Sequence, residues 1–310
     1  MPASRYVPGP RMGLVFVLLS AVCFSLAGVL IKLVPWGALS VSAGRSLFAV
    51  FVIYLFMRWQ GRRLVINKAV FIGAAFNFVM SQTFVFANKL TTAANAIVLQ
   101  FTEPVFAILI MWLVFKVRPS KHAVITCIAV MAGITCFFFD ELSASGMLGN
   151  VLAVISGLTY AGVFFIKKLP GGCFESASII SILACFVVGL PDLSADLMAL
   201  AAGTGAVCVL PTGPFAGFSC SPLAVMALMG IVQMGLSYVF LSLGLDAVSP
   251  VTASLTSTIE PILNPVLAAF MLGETIGPLS MFGAVLVLGS TTIYNVFFAN
   301  EQQETGEPEA

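Results

Sequence analysis

Two carboxylates stand inside segments that are otherwise apolar. Glu103 precedes Pro104 and Glu260 precedes Pro261, and an apolar run follows each pair, Val105 to Phe115 and Ile262 to Leu272. The stretches leading into them also correspond, because Asn88 to Pro104 slides onto Leu245 to Pro261 by 157 positions. An acidic side chain at the centre of a membrane-spanning helix costs about 2.5 to 3.5 kcal/mol, so a carboxylate placed there twice is expected to have a use. The proline behind it has no N–H and releases the carbonyl four residues back, Gln100 in the first copy and Ser257 in the second. A helix interrupted in this way persists where protein covers the backbone or where it lines a wet cavity. The chemistry on offer is proton binding, because burial favours the neutral carboxyl, or attraction of an ammonium group. The structural alternative is a carboxylate that caps frayed backbone beside its proline or pairs with Arg45.

Other polar residues fall within reach of the same region. Thr252, Thr256, Glu260 and Asn264 recur every four residues and share one helix face; they form either a cavity wall or interhelical hydrogen bonds. Ala96, Gln100, Glu103 and Ala107 make the related face of the first copy. Arg45 precedes Arg58 by 13 residues, which places it roughly 19 Å inside a boundary marked by Arg58, at 1.5 Å per residue. Its guanidinium can hold a substrate carboxylate in bidentate geometry or neutralise Glu103 or Glu260. Asn77 with Ser81 and Gln233 with Ser237 are spaced by four, and the 157 register sets Ser81 against Tyr238. Gln82, Tyr160 and Tyr238 add hydrogen-bonding groups in apolar spans, and Phe84 and Phe101 are candidate aromatic walls. For each of these the competing role is packing.

The elements that would position them follow from hydropathy. Hydrophobic residues are 60% of the chain and charged ones 9%, against roughly 45–50% and 25% in soluble domains. Spanning helices need about 20 apolar residues, and 310 residues leave room for about ten. Apolar windows and their polar punctuation predict helices at about 12–34, 38–58, 68–88, 92–115, 121–139, 146–168, 174–191, 222–244, 248–272 and 278–299. The first is too long for a secretory h-region and lacks a cleavage site, so it reads as a helix of the protein. Asp192 to Ser221 is the longest expected connection, with Leu197 to Leu210 lying in the interface, and residues 300–310 read as a disordered acidic tail.

Lys and Arg then set the orientation. With both termini cytoplasmic, the inner side holds Arg5, Arg11, Arg58, Arg62, Arg63, Lys68, Lys116, Arg118, Lys121, Lys167 and Lys168, and the other side only Lys32 and Lys89. The inner loop near Asp246 is the exception to the bias. Five helices per repeat is an odd number, so a second repeat would cross in the opposite sense to the first, the inverted layout of secondary transporters.

Taken in order, these features resemble the EamA branch of the drug/metabolite transporter superfamily: two five-helix repeats, fourth and ninth segments carrying Glu-Pro, Arg45 early in the second helix, Lys32 closing the first, and Gly273-Glu274 ending the ninth. The resemblance covers residues 12 to 299, with one departure, Lys116-Val117 where the second repeat has Gly273-Glu274. It implies an all-α integral membrane protein of ten helices around a central cavity, with one repeat over 12–140 and the other over 146–299. It also implies movement of amino acids or other small metabolites, commonly outward, from an inner membrane.

Several classes are excluded or disfavoured. A net charge of +1 with no basic face gives nucleic acid nothing to bind. The seven cysteines form no CxxC and His122 is the only histidine, so no metal site or cofactor is expected. Cys208 and Cys220 are able to pair in an oxidising compartment and otherwise serve as small apolar residues. There is no GxxxxGK[ST] for ATP, and a Ser–His–Asp arrangement would need His122, at a helix start remote from an orienting Asp. The expected partners are a small-molecule substrate, the lipid bilayer and protons, and a monomer is a sufficient unit. A zwitterion such as an amino acid suits a site holding Arg45 and two glutamates. An organic-cation or multidrug exporter and a non-transporting scaffold or receptor are the rival readings.

Overall fold

A backbone that leaves water must satisfy its hydrogen bonds within the protein, and a helix does so locally. The computed structural model describes residues 6–116, 120–140, 144–211, 216–248, 253, 256–274 and 277–297, and these are helical apart from connections and one two-stranded hairpin. The first half contains α1 (Pro10–Phe24), α2 (Ala27–Leu33), α3 (Ala38–Gln60), α4 (Lys68–Leu90), α5 (Ala93–Gln100), α6 (Glu103–Leu113) and α7 (Lys121–Asp140). The second contains α8 (Ala144–Phe164), a 3-10 turn (Ile166–Lys168), α9 (Phe174–Ala201), strands β1 (Cys208–Val209) and β2 (Ser219–Cys220), and α10 (Pro222–Leu228). A π-helix (Met229–Leu236), α11 (Ser237–Leu245), a 3-10 turn (Ser257–Ile259), α12 (Glu260–Leu272) and α13 (Pro278–Phe297) complete it.

Among the described residues, seven continuous or once-broken stretches are long and apolar enough to cross a membrane: Pro10–Leu33, Ala38–Gln60, Lys68–Leu90, Ala93–Leu113, Gly146–Lys168, Phe174–Ala201 and Pro222–Leu245. The fifth, ninth and tenth expected segments are helical too, with shorter apolar stretches at Val124–Gly133, Glu260–Leu272 and Pro278–Tyr294. The surface has the polarity of a protein in lipid. Phe51, Phe282 and Val285 are more than 60% exposed, while Arg45, Glu103 and Glu260 are 3% exposed or less. Local signals end the helices where composition changes. The Asn67 side chain accepts from the Val70 N–H at the start of α4 and Thr92 from the Asn95 N–H at the start of α5, and Gly61 closes α3 in the left-handed region.

Two expectations are corrected. The seventh helix does not stop at 191 but runs through Pro191 to Ala201. Proline removes a single N–H bond, whereas Leu193, Leu197 and Leu200 fall at i, i+4 and i+7 and pack on the core, so the amphipathic face carries the helix on. Leu197 to Leu210 is therefore no single interfacial piece, since its first residues end α9 and its last begin the hairpin. The eighth helix, expected over 222–244, contains an eight-residue π segment. Ser249, Pro250, Thr252, Arg118 and the 300–310 tail lie outside the described residues.

Packing pairs the two halves. α3 lies on α9, α4 on α8, α1 on α11, α5 on α12 and α7 on α13. Counted in order, this pattern is unchanged when the halves are exchanged: α1 with α11 becomes α8 with α4, and the other pairs map onto themselves. The 157-residue offset also holds locally, relating Glu103 at the start of α6 to Glu260 at the start of α12, and Lys121–Asp140 to Pro278–Phe297. It further relates Lys116 to Gly273, and both sit in the left-handed region, at φ 61° and 66°. The departure from the Gly-Glu motif thus keeps the turn and changes only the residue in it. A β-carbon is disfavoured at positive φ. Lys116→Gly is expected to stabilise the purified protein by about 0.5–1 kcal/mol, and Gly273→Ala to destabilise it by a similar amount; thermal unfolding in detergent compares the two.

Candidate functional site

The site is assembled where helices are irregular. α5 ends at Gln100 and α6 begins at Glu103, with Pro104 second in the new helix, where its missing N–H breaks no bond. α8 comes close enough to cover this break because residue 157 is glycine: a β-carbon there would lie 2.5 Å from the Gln100 carbonyl oxygen and 2.6 Å from Thr102 Oγ1. The Gln100 side chain donates to Ser156 Oγ at 2.6 Å, and Ser156 donates to the Met80 carbonyl at 3.1 Å. In the second copy Glu260 and Pro261 again open a helix, α12, after a 3-10 turn in which the Ser257 carbonyl, released by Pro261, accepts from the Glu260 N–H. Each carboxylate therefore sits at the positive end of a helix dipole.

The π segment and α3 complete the enclosure. Gly230 lets the π-helix press against α3, since a β-carbon at that position would lie 2.3 Å from the Arg45 carbonyl oxygen. Arg45 and Gln233 are thereby brought to one cavity of about 30 Å³, lined also by Ser81, Gln100, Tyr160, Tyr238 and Glu260. That volume holds about two water molecules. Arg45 Nε, Gln233 Oε1 and Glu260 Oε2 are buried without a hydrogen-bond partner among the described residues. Polar atoms left so in an interior ask for water or a ligand.

Eight of the residues singled out from the sequence thus meet in one place: Arg45, Ser81, Phe84, Gln100, Tyr160, Gln233, Tyr238 and Glu260. Glu103 is buried beside them, close enough for its charge to act on Glu260 and Tyr160. Arg45 forms no ion pair with either glutamate; its Nη2 donates to Ser81 Oγ at 2.8 Å. Tyr238 donates to Asn77 Oδ1 at 2.7 Å, and Asn77 donates to Ser178 at 3.2 Å. Gln82 lies outside the lining, next to Cys185 of α9. Asn264 is buried against Gly28 on α2, and Thr256 is half-buried ahead of the 3-10 turn. The stripe from Thr256 to Asn264 is not one wall, because a 3-10 turn advances about 120° per residue instead of about 100° and rotates the residues beyond it. Phe84 reaches the cavity, whereas Phe101 packs into the core.

Charged side chains tie the helices together at both ends of the bundle. At the end where α3 finishes, Arg62 pairs with Glu175 and Asp246, Lys167 pairs with Asp246 at 2.6 Å, and Ser242 donates to Glu175. Burial works against the Arg62 charge, but Glu175 and Asp246 outweigh it and hold the guanidinium above its ordinary pKa. Asp246, the acid out of place among inner-side loops, is accounted for as the counter-charge of two bases. At the opposite end, Lys32 pairs with Glu274 at 2.9 Å, Glu274 accepts from the Ala93 N–H at 2.8 Å, and Lys89 donates to the Val34 carbonyl at 2.6 Å. Sequence reasoning missed Glu175, although a buried acid opening an apolar helix is the signal that marked Glu103 and Glu260. It also missed Ser156, which nothing in the spacing distinguishes from a packing serine.

Broken helices meeting at a small, charged cavity inside an apolar multi-pass bundle define a membrane transporter by class. The description of the EamA-like transporter family matches residues 11–139 and again 147–296. The chain belongs to that family, within the drug/metabolite transporters. It is 26% identical over 291 residues to an uncharacterized transporter of Archaeoglobus fulgidus, covering 91% of this chain and 96% of that one. It is 24% identical over 307 residues to the uncharacterized transporter YwfM of Bacillus subtilis, covering 94% and 96%. Human solute carrier family 35 member G1 is 26% identical over 175 residues, 51% of this chain and 48% of that protein. A crystal structure with 12% sequence identity superposes with a TM-score of 0.64 over 93% of this chain and 98% of that one, a shared fold.

Ser81 is the one side chain hydrogen-bonded to the Arg45 guanidinium among the described residues. Ser81→Ala is expected to destabilise the protein by about 1–3 kcal/mol, since a buried charged donor loses its partner. Ser81→Thr, which keeps the hydroxyl, is expected to recover most of that loss in the same thermal unfolding assay.

Proposed function

We propose that the chain is a secondary transporter of small zwitterions, amino acids foremost, working outward by alternating access. The observation that carries this reading is the pairing, in one cavity, of a guanidinium without a carboxylate partner and a carboxylate without a cationic one among the described residues, Arg45 and Glu260. An α-carboxylate would satisfy the first and an α-ammonium the second, with Gln233 and Tyr160 supplying neutral contacts. Discontinuous helices are where secondary transporters place such sites, and the breaks before Glu103 and Glu260 serve as pivots. Two inverted five-helix repeats, ten helices in all, are supported by the exchange-symmetric helix pairing and by the family match to each half. The ion pairs at the two ends of the bundle are the contacts that would break in turn as the cavity opens to one side and then the other. The Lys and Arg bias supports cytoplasmic termini in an inner membrane, with the Arg62 and Lys167 end facing the cytoplasm. Glu103, within electrostatic reach of Glu260, is the proposed second acid through which proton movement couples to substrate.

One observation favours the organic-cation reading: Phe24, Phe84, Tyr160 and Tyr238 surround the same cavity as Glu260, and aromatic faces attract cations.

The test is ligand-induced thermal stabilisation of the purified protein, backed by counterflow in proteoliposomes. Amino acids are expected to raise the Tm in proportion to the logarithm of their concentration. Glu260→Gln is expected to abolish that rise, and Arg45→Gln to abolish it for amino acids while sparing simple amines. Stabilisation by hydrophobic cations alone, surviving Arg45→Gln, would establish the cation exporter instead. Absence of both stabilisation and counterflow for every solute class would sink the transport mechanism proposed for this cavity.

A further inference from the structure

The hairpin between α9 and α10 brings together two of the seven cysteines. β1 and β2 are antiparallel with Cys208 directly opposite Cys220, and the pairing continues as Leu210 N–H to the Phe218 carbonyl at 3.1 Å. Opposed residues of an antiparallel pair have α-carbons about 4.5–5.5 Å apart, within the range of about 4.4–6.8 Å that a disulfide spans. The two thiols are already close enough to interact. Cys208 is fully buried and Cys220 is partly exposed. Cys208 and Leu210 join a core cluster with Val34, Trp36, Leu193 and Val225, so the hairpin lies over the end of the bundle where Lys32 meets Glu274 and Lys89 meets Val34.

We propose that Cys208 and Cys220 are a redox site: their oxidation to a disulfide staples this hairpin over the extracytoplasmic mouth of the central cavity. The location rests on the orientation proposed above, which turns this end toward an oxidising compartment. The accessible Cys220, as thiolate, attacks the disulfide of an extracytoplasmic thiol oxidase and displaces one of its sulfurs, giving a mixed disulfide. Cys208 then gives up its proton and attacks the Cys220 sulfur, releasing the oxidase as a dithiol. The cysteine pair loses two protons and two electrons, and the oxidase disulfide takes them up. Burial first, and Cys220 beside it second, push the Cys208 thiol up to about 12, and with Cys208 fully buried the partly exposed Cys220 is the thiol that meets the oxidase first. The staple closes a short loop and fixes strands whose buried residues, Cys208 and Leu210, belong to the same core cluster as Val34 and Trp36, so it stabilises the mouth in the arrangement seen here.

The experiment uses the full chain in native membranes, with free thiols trapped by N-ethylmaleimide before lysis and no reductant added. Peptide mapping is expected to show Cys208 and Cys220 in one cross-linked species that reduction separates, with five of the seven cysteines free to be alkylated. The wild-type Tm is expected to fall on reduction, while that of a Cys208→Ser/Cys220→Ser double variant stays unchanged. Full alkylation of both cysteines without reduction overturns the proposal. A membrane-impermeant maleimide applied to right-side-out vesicles of Cys208→Ser, read at the Cys220 peptide, separates the two ways of failing. Labelling from outside with no cross-link in the wild type means that the pair does not oxidise. Labelling only from the inside means that the orientation was wrong.

Discussion

A charge inside a bilayer has no water to turn to, and every group it needs must come from the protein. This chain holds three such side chains near one another, Arg45, Glu103 and Glu260, and much of its irregular structure follows from housing them. Each glutamate begins a helix rather than interrupting one, so its carboxylate sits at the positive end of a helix dipole. The proline next to it makes that start possible without sacrificing a bond. Gly157 then lets α8 close over the break between α5 and α6, replacing the solvent that a broken helix would otherwise require, and Gly230 lets the π-helix pack against α3 beside Arg45.

The same constraint shapes the two ends. Bases and acids that cannot be left bare near the membrane boundary are matched across helices, Arg62 and Lys167 with Glu175 and Asp246 at one end, Lys32 with Glu274 at the other. Both sets join elements from the first half of the chain to elements from the second. Contacts of this kind join the halves at the two ends, whereas α3 with α9 and α4 with α8 pack along their lengths. The molecule therefore combines ion-paired seams at its ends with packed helix faces along its length, around a small polar cavity.

Much of the helical layout was readable in advance, and the reasons are local. A run of about 20 apolar residues can be little else than a span, a proline must end or bend a helix, and Asn67 and Thr92 announce the helices they cap. Where local reading failed, tertiary packing intervened: α9 outran Pro191 because three leucines beyond it had a core to join, and the π-helix formed where Gly230 and Gly235 meet α3. The Thr256 to Asn264 stripe was broken by a turn whose pitch no residue pattern displays.

By itself, the sequence determined that this protein lives in a membrane, that its fourth and ninth segments break at Glu-Pro, and which few polar residues stand inside apolar spans. Composition and chain geometry decide those matters within a few residues of each position. Only the tertiary structure decided that Arg45 turns to Ser81 instead of a glutamate, that Tyr238 turns to Asn77, that Glu175 answers Arg62 and Lys167, and that Cys208 faces Cys220. The first three partnerships join residues far apart in the chain, and the cysteine pair depends on strand register. Each rests on which helix faces pack and how far each helix is rotated, quantities set by the whole bundle at once.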